Sequence, residues 1–203
     1  MQMNGSDLPD LSSDLEKLGE KKKTSKRVFD GKLLQVYYDE VTLPDGNESS
    51  REWIKHPGAS AVVPVFEDGS IMLLRQFRYP PRKIFLEVPA GKLDPGESPE
   101  STAKRELLEE SGLNCRNLQR TGSFYPAIGY ADEIIYSFVA WNLNIQNSEL
   151  DEDEFLLNYR VSFSDALKMI SDGTIQDAKT ICTIMNAANW WKKHSPFSVK
   201  LDL

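Results

Sequence analysis

Residues 86–113 constrain the chain more than any other stretch, because they dictate a strand, a glycine-bracketed loop and a capped helix in immediate succession. Leu86-Glu87-Val88-Pro89-Ala90 reads as a strand that ends against a loop bounded by Gly91 and Gly96. Ser98-Pro99-Glu100 then supplies an N-cap, a proline at the first helical position and an acid in the first turn, while Gly112 supplies the stop. The predicted helix runs from Pro99 to Ser111. On it Glu106, Glu109 and Glu110 are spaced i, i+3 and i+4, within an arc of roughly 100°. Ala103 and Leu107 form the adjoining stripe, an apolar side to bury against a sheet.

Like charges crowded on one helix face are unfavourable, and more so when partly buried. A divalent cation removes that penalty. Ligands that are all oxygen suit Mg²⁺ or Mn²⁺, and the sequence has no Cys/His cluster of zinc spacing. A solvated Glu/Lys face is the usual origin of a lone Glu-Glu pair, but the complete spacing from Gly91 to Leu113 is what a metal-dependent phosphate site requires. The carbonyl of Ala90 or Gly91 is placed to face the same metal. Arg105 is expected to orient the glutamates through a charge-assisted hydrogen bond to Glu97. Lys92 is open to two readings, a phosphate contact or a solvated loop lysine.

Composition narrows the partners. With 203 residues, 40% hydrophobic and 27% charged, the chain is long enough for one full core. A net charge of −7 argues against broad nucleic-acid binding, which needs a basic face. Cys115 and Cys182 are too few for a disulfide framework, and no apolar run suits a signal peptide or membrane span. The expectation is a cytoplasmic protein with no membrane partner.

Residues 1–26 are polar, Ser-rich and charged, and are expected to form a flexible arm, with Leu11, Leu15 and Leu18 able to make one short amphipathic helix. Alternation over 28–43, a turn at Pro44-Asp45-Gly46-Asn47 and a run over 50–56 predict an antiparallel hairpin, so that 27–58 forms an N-terminal unit and 59–203 the main domain. Runs at 59–66 and 71–77, joined by Glu67-Asp68-Gly69-Ser70, predict a second hairpin. Further strands are expected near 118–125, 133–143 and 155–162, followed by helices capped by Ser164 and Asp177. Together these elements predict an α+β fold. His56 and His194 have no motif Ser or Cys beside them and read as structural, and Cys115 has no activating partner.

Read as Gly91, five residues, Glu97, seven residues, Arg105-Glu106, an aliphatic residue, one residue, Glu109-Glu110, one residue, Gly112 and Leu113, the segment resembles the Nudix box without a mismatch. Weaker similarity extends over about 28–190, and five stretches resemble the ADP-ribose and nucleoside-diphosphate-sugar pyrophosphatase branch. They are His56-Pro57-Gly58, Arg75-Gln76-Phe77-Arg78, Glu87-Val88-Pro89-Ala90-Gly91, Gly129-Tyr130-Ala131-Asp132-Glu133 and Asp151-Glu152-Asp153-Glu154-Phe155. One departure concerns specificity. That branch usually reads Ser-Pro-Gly-Phe where this chain has Ala127-Ile128-Gly129-Tyr130, with Pro126 two positions early, which leaves the choice of sugar open at Ile128.

The resemblance implies a Nudix α/β/α sandwich with a mixed sheet, preceded by N-terminal antiparallel strands exchanged or packed across a homodimer. By motif match, the Ala90 carbonyl with Glu106, Glu109 and Glu110 would hold Mg²⁺, or Mn²⁺ in its place, with Glu154 as a further ligand. Arg105 would hold the box in shape. Arg78 would contact the diphosphate beside Glu87, and Arg51 and Trp53 match the region that clasps the base in relatives, although Trp53 also reads as interface packing. The base that deprotonates water would lie in the acidic stretch 149–154, with Glu154 the best match by position and Glu152 next; a solvated acidic loop is the plainer reading of each residue taken singly.

Hydrolysis of ADP-ribose or a related nucleotide sugar to a nucleoside monophosphate and a sugar phosphate is the reading these features favour. A nucleoside triphosphate, dinucleoside polyphosphate or coenzyme would use the same metal site. A sensor that binds a nucleotide sugar without cleaving it would be expected to have lost box glutamates, and none is lost here.

Overall fold

A computed structural model describes residues 14–146 and 155–194, which divide between two units: one of residues up to 56 with 127–132, the other of 57–126 and 133 onward. The first unit opens with a single turn, α1 (Leu15–Leu18), and continues as an antiparallel sheet of β1 (Lys21–Asp30), β2 (Gln35–Thr42) and β3 (Glu48–Lys55), in that order. Gly46, at φ 88°, turns the β2–β3 connection, which Leu43 closes by donating its N–H to the Asn47 carbonyl at 2.8 Å. The loop 127–132 is laced to β3, with Ile54 N–H on the Tyr130 carbonyl at 2.8 Å and His56 N–H on Asp132 Oδ1 at 2.7 Å.

The expected arm and hairpin are corrected here. β1 begins at Lys21, inside the stretch read as an arm, and the hairpin is a three-stranded sheet. Every residue of β1 is exposed, so the strand has no hydrophobic period to be read; its backbone pairing with β2, from Lys21↔Thr42 to Asp30↔Gln35, is what orders it.

The second unit holds two sheets. One has the order β7-β4-β9-β8, from β4 (Ala59–Pro64), β7 (Ala90–Lys92), β8 (Leu113–Phe124) and β9 (Ile135–Ile145); the other has the order β10-β5-β6, from β5 (Ser70–Arg78), β6 (Lys83–Glu87) and β10 (Leu156–Ser162). The pair β4–β9 is parallel and all others are antiparallel, so the sheet is mixed. Helix α2 (Pro99–Ser111) lies between β7 and β8 in the chain, and α3 (Phe163–Ser171) and α4 (Ala178–His194) follow β10.

Strand alternation explains the layering. Ala61 and Val63 of β4, with Val139 of β9, join a core with Ile184, Ala187 and Trp191 of α4, while Val62, Phe138 and Ala140, one residue out of phase, join Ala103 and Leu107 of α2. Both faces of β4 are therefore buried, which is why it reads as a continuous apolar run. The result is the expected α+β sandwich of helix, mixed sheet and helix.

Three local expectations are revised by this packing. The 67–70 turn forms, with Gly69 at φ 79° and Phe66 N–H on the Ser70 carbonyl at 2.8 Å, but β4 and β5 diverge past the Val65–Ile71 bridge into different sheets. β8 starts at Leu113 rather than near 118, since Gly112 at φ 67° reverses the chain directly out of the helix. The cap of α3 is Ser162, whose hydroxyl accepts the Asp165 N–H, because Phe163 is buried as the first helical residue and leaves Ser164 inside the helix.

Candidate active site

Local chemistry sets α2 where the sequence predicts. Ser98 Oγ accepts the Ser101 N–H at 3.2 Å, Pro99 occupies the first turn, and Gly112 ends the helix by donating to the Leu108 carbonyl at 2.8 Å. Ala103 and Leu107, both fully buried, press one side against β4 and β9. This holds the glutamate face against the β7 loop.

Ala90, Gly91, Lys92, Asp94, Arg105, Glu106 and Glu109 line one cavity of about 460 Å³. Arg105 organises its acidic wall. Nη1 donates to Glu106 Oε1 at 2.7 Å and Glu109 Oε2 at 2.9 Å, and Nη2 to Glu97 Oε2 at 3.0 Å and the Lys92 carbonyl at 3.1 Å, while Nε donates to Glu97 Oε1 at 3.2 Å. One guanidinium thus spans the loop and a full turn of the helix, in a geometry that lysine cannot reproduce. The Arg105 hydrogen bond holds the Glu97 carboxyl down at about 2, aided by the Thr102 hydroxyl at 2.8 Å. The reciprocal contacts push the Arg105 guanidinium further up.

Glu110 turns inward instead. It is 5% exposed, and its Oε2 accepts the Ala90 N–H at 2.8 Å, which ties the helix to β7. Beside it, Gly91 leaves room for Glu106: a Cβ on Gly91 would stand 1.8 Å from Glu106 Oε1. Gly91 is needed for closeness, whereas Gly96, at φ 83° with open space around it, is needed for its turn.

These residues fit a hard divalent cation. Glu106 and Glu109 on the cavity wall, Glu110 bonded to the Ala90 N–H beside it, and the backbone carbonyls of β7 offer only oxygen, next to a recess that a side chain at 91 would fill. Among the described residues no three His, Cys, Asp or Glu side chains stand together as a ready metal cage, and the single charge of Arg105, shared with Glu97, offsets only part of the charge on Glu106 and Glu109. Glu152 and Glu154 lie outside the described residues.

Arg78 and Glu87 form a fork on the neighbouring sheet, with Nε on Oε1 at 2.8 Å and Nη2 on Oε2 at 2.7 Å. Lys179 Nζ adds a contact to Glu87 Oε2 at 3.0 Å. Burial acts to raise the Glu87 carboxyl, but the Arg78 hydrogen bond and the Lys179 charge outweigh it and hold it below its ordinary value. Glu110 is among the charges that raise Arg78. Sequence reading missed Lys179 and Thr180; Asp177 was legible only as a helix cap, a role it fills by accepting the Thr180 N–H at 3.0 Å.

In the first unit Trp53 stacks on Tyr37, ring centroids 5.0 Å apart, and donates Nε1–H to Asp39 Oδ2 at 3.1 Å. Arg51, two residues away on the same strand face, donates Nε–H to Glu20 Oε2 at 2.9 Å. Ile128 is 82% exposed in the loop held to β3. Cys115 and Cys182 are unbridged, and burial raises both thiols, so neither is primed as a nucleophile.

The NUDIX domain model matches residues 55–197. The chain is 43% identical over 172 residues to the ADP-ribose pyrophosphatase of Bacillus subtilis (strain 168), covering 84% of this chain and 93% of that one. It is 39% identical over 167 residues to the methanol dehydrogenase activator of Bacillus methanolicus, covering 81% and 90%. It is 34% identical over 159 residues to a GDP-mannose pyrophosphatase of Yersinia enterocolitica, covering 71% and 83%. Among solved structures, that of an ADP compounds hydrolase superposes with a TM-score of 0.77 over 86% of this chain and 95% of that one, at 23% identity, which speaks for the fold.

Proposed function

The chain belongs to the NUDIX domain family, and from that membership we propose that it hydrolyses the diphosphate linkage of ADP-ribose or a related nucleoside-diphosphate sugar, giving a nucleoside monophosphate and a sugar phosphate. The observation that carries the reading is the convergence of Glu106, Glu109 and Arg105 on the Ala90–Gly91 backbone in one cavity. The names of the relatives support the substrate class.

Glu106, Glu109 and Glu110, with the Ala90 carbonyl, would hold the divalent metal, with Mg²⁺ the proposed ion and Mn²⁺ its nearest substitute. When bound, the metal supplies charge neutralisation at the diphosphate and lowers the pKa of water. The chain's own residues do the rest. Arg105 fixes the directions of Glu106 and Glu109, so that little reorganisation is left for the reaction. Arg78, whose Nε and Nη2 are committed to Glu87, presents its remaining nitrogen, Nη1, to the diphosphate. Glu154, with Glu152 as the alternative, would take the proton of the attacking water.

We further propose a homodimer in which residues 27–58 are the dimerisation element and bring Arg51 and Trp53 to the partner's substrate, with Ile128 bearing on the sugar. The unbridged cysteines support a reducing compartment such as the cytoplasm. The described helices include none long and apolar enough to cross a membrane.

Phosphate release through a coupling phosphomonoesterase tests the reading across ADP-ribose, GDP-mannose, other nucleotide sugars, nucleoside triphosphates and diadenosine polyphosphates, with and without Mg²⁺. Metal-dependent cleavage confined to nucleotide sugars is expected. Failure to cleave any of them, with turnover of another nucleotide, would move the protein to a different substrate class.

A further inference from the structure

The start of α4 makes contacts that capping the helix does not require. Lys179 Nζ sits between Glu87 Oε2 at 3.0 Å and Asp177 Oδ2 at 3.1 Å, so that Arg78, Glu87, Lys179 and Asp177 alternate in charge along one line. Thr180, fully buried, accepts the Val88 N–H on its hydroxyl oxygen at 3.0 Å and passes its own hydroxyl hydrogen to Asp177 Oδ2 at 2.6 Å. Both relays reach the same strand segment, 92 residues earlier in the chain.

That segment is pinned on three sides. The Val88 N–H goes to α4, the Pro89 carbonyl accepts the Val62 N–H of β4 at 2.9 Å, and the Ala90 N–H goes to Glu110 of α2 at 2.8 Å. Pro89 has no N–H of its own, so the Val88 bond is the nearest donor anchor before Ala90. A shift of Val88 therefore moves Ala90 relative to Glu110, and a rotation of Glu87 turns Arg78 with it.

We propose that Asp177, Lys179 and Thr180 are positioning residues for hydrolysis: Lys179 sets Arg78 through Glu87, and Thr180, held by Asp177, sets the Ala90 backbone against Glu110 through Val88. The proposal rests on the diphosphate hydrolase reading. Groups that orient metal ligands from behind commonly change metal affinity or activity by about 10-fold to 100-fold when removed.

Thr180→Val keeps the shape and loses the hydroxyl, Thr180→Ser keeps the hydroxyl, and Lys179→Met removes the cation. Thermal unfolding, kcat and KM for ADP-ribose, and Mn²⁺ affinity by calorimetry without substrate are measured on each full chain. The T180V variant is expected to bind Mn²⁺ about 10-fold more weakly and to lose about 10-fold in kcat, while T180S stays within about 2-fold of the parent in both. K179M is expected to raise KM about 10-fold with a smaller change in Mn²⁺ affinity, the split that separates the two relays. Parental Mn²⁺ affinity, kcat and KM in T180V and K179M overturn the proposal, and so does a loss of activity no greater than the loss of folded protein. Should T180V not fold, Asp177→Asn and K179M carry the same comparison. If the parent cleaves no diphosphate, the functional reading fails separately, and the Mn²⁺ titrations still decide: weaker binding by T180V sustains the positioning role, and equal binding, or none by the parent, overturns it.

Discussion

Glu106 reaches so far over Gly91 that a methyl group on the glycine would stand 1.8 Å from the carboxylate oxygen. Backbone and carboxylate share one recess, and only hydrogen fits between them. Gly91→Ala is predicted to displace Glu106 and lower kcat by about 10-fold to 100-fold, since small displacements of a reacting constellation are costly. The unfolding temperature should change little, because the side chain that moves already borders a cavity. Steady-state kinetics beside a thermal melt will separate the two effects.

Glu106→Gln keeps the shape of the side chain and halves its value as a cation ligand. Turnover is expected to fall by about two orders of magnitude or more, with the protein still folded, and excess Mg²⁺ is expected to restore part of it. Unchanged turnover at every Mg²⁺ concentration would falsify the assigned metal role.

Arg105 holds Glu97 through both carboxylate oxygens, and the folded-state carboxyl sits at about 2 against an ordinary value of 4.5. A depressed carboxyl adds stability that is complete above its unfolded value and is lost as pH falls through the folded one. The loss therefore belongs to the window from about 4.5 down to about 2. The Arg105 side chain of the pair is 29% exposed, and solvent screening there reduces the pair to about 1 kcal/mol. Glu97→Gln should flatten this part of the acid limb in urea unfolding followed against pH; an unchanged limb would show that other carboxylates control it.

Leu107 is fully buried with Val62 and Phe138, on the apolar stripe of α2 that adjoins the glutamate face. Leu107→Ala is predicted to cost about 2–5 kcal/mol, the range for a truncated core leucine. The measurement is the chemical unfolding midpoint at constant slope. A cost below about 1 kcal/mol would mean that α2 is seated by its polar contacts rather than by its apolar stripe.

Light scattering on the full chain tests the proposed homodimer directly. A dimer whose Trp53→Ala variant raises KM for ADP-ribose while remaining dimeric would place Trp53 against substrate. If the variant dissociates, its ring packs at the interface, and a monomeric parent removes the shared pocket altogether.

Helix α2 was legible residue by residue. Its cap, first-turn proline and terminal glycine act over distances of three or four residues, so the bounds Pro99 and Ser111 follow from local chemistry alone. The Arg105–Glu97 contact was equally accessible, because loop and helix are joined by a short turn. Strand β1 was not legible: with every residue exposed it carries no apolar period, and backbone pairing to β2 leaves no mark on composition.

The sequence by itself determined the family, the glutamate helix and the carboxylate character of its clustered side chains, since these depend on residue type and short spacing. Tertiary structure decided the partition of β4 and β5 between two sheets, although one turn joins them, because burial of both faces of β4 demands helices on either side. It also decided that Glu87 meets Lys179 and that Val88 meets Thr180. Contacts across 92 residues depend on how the whole core closes, and no local propensity encodes them.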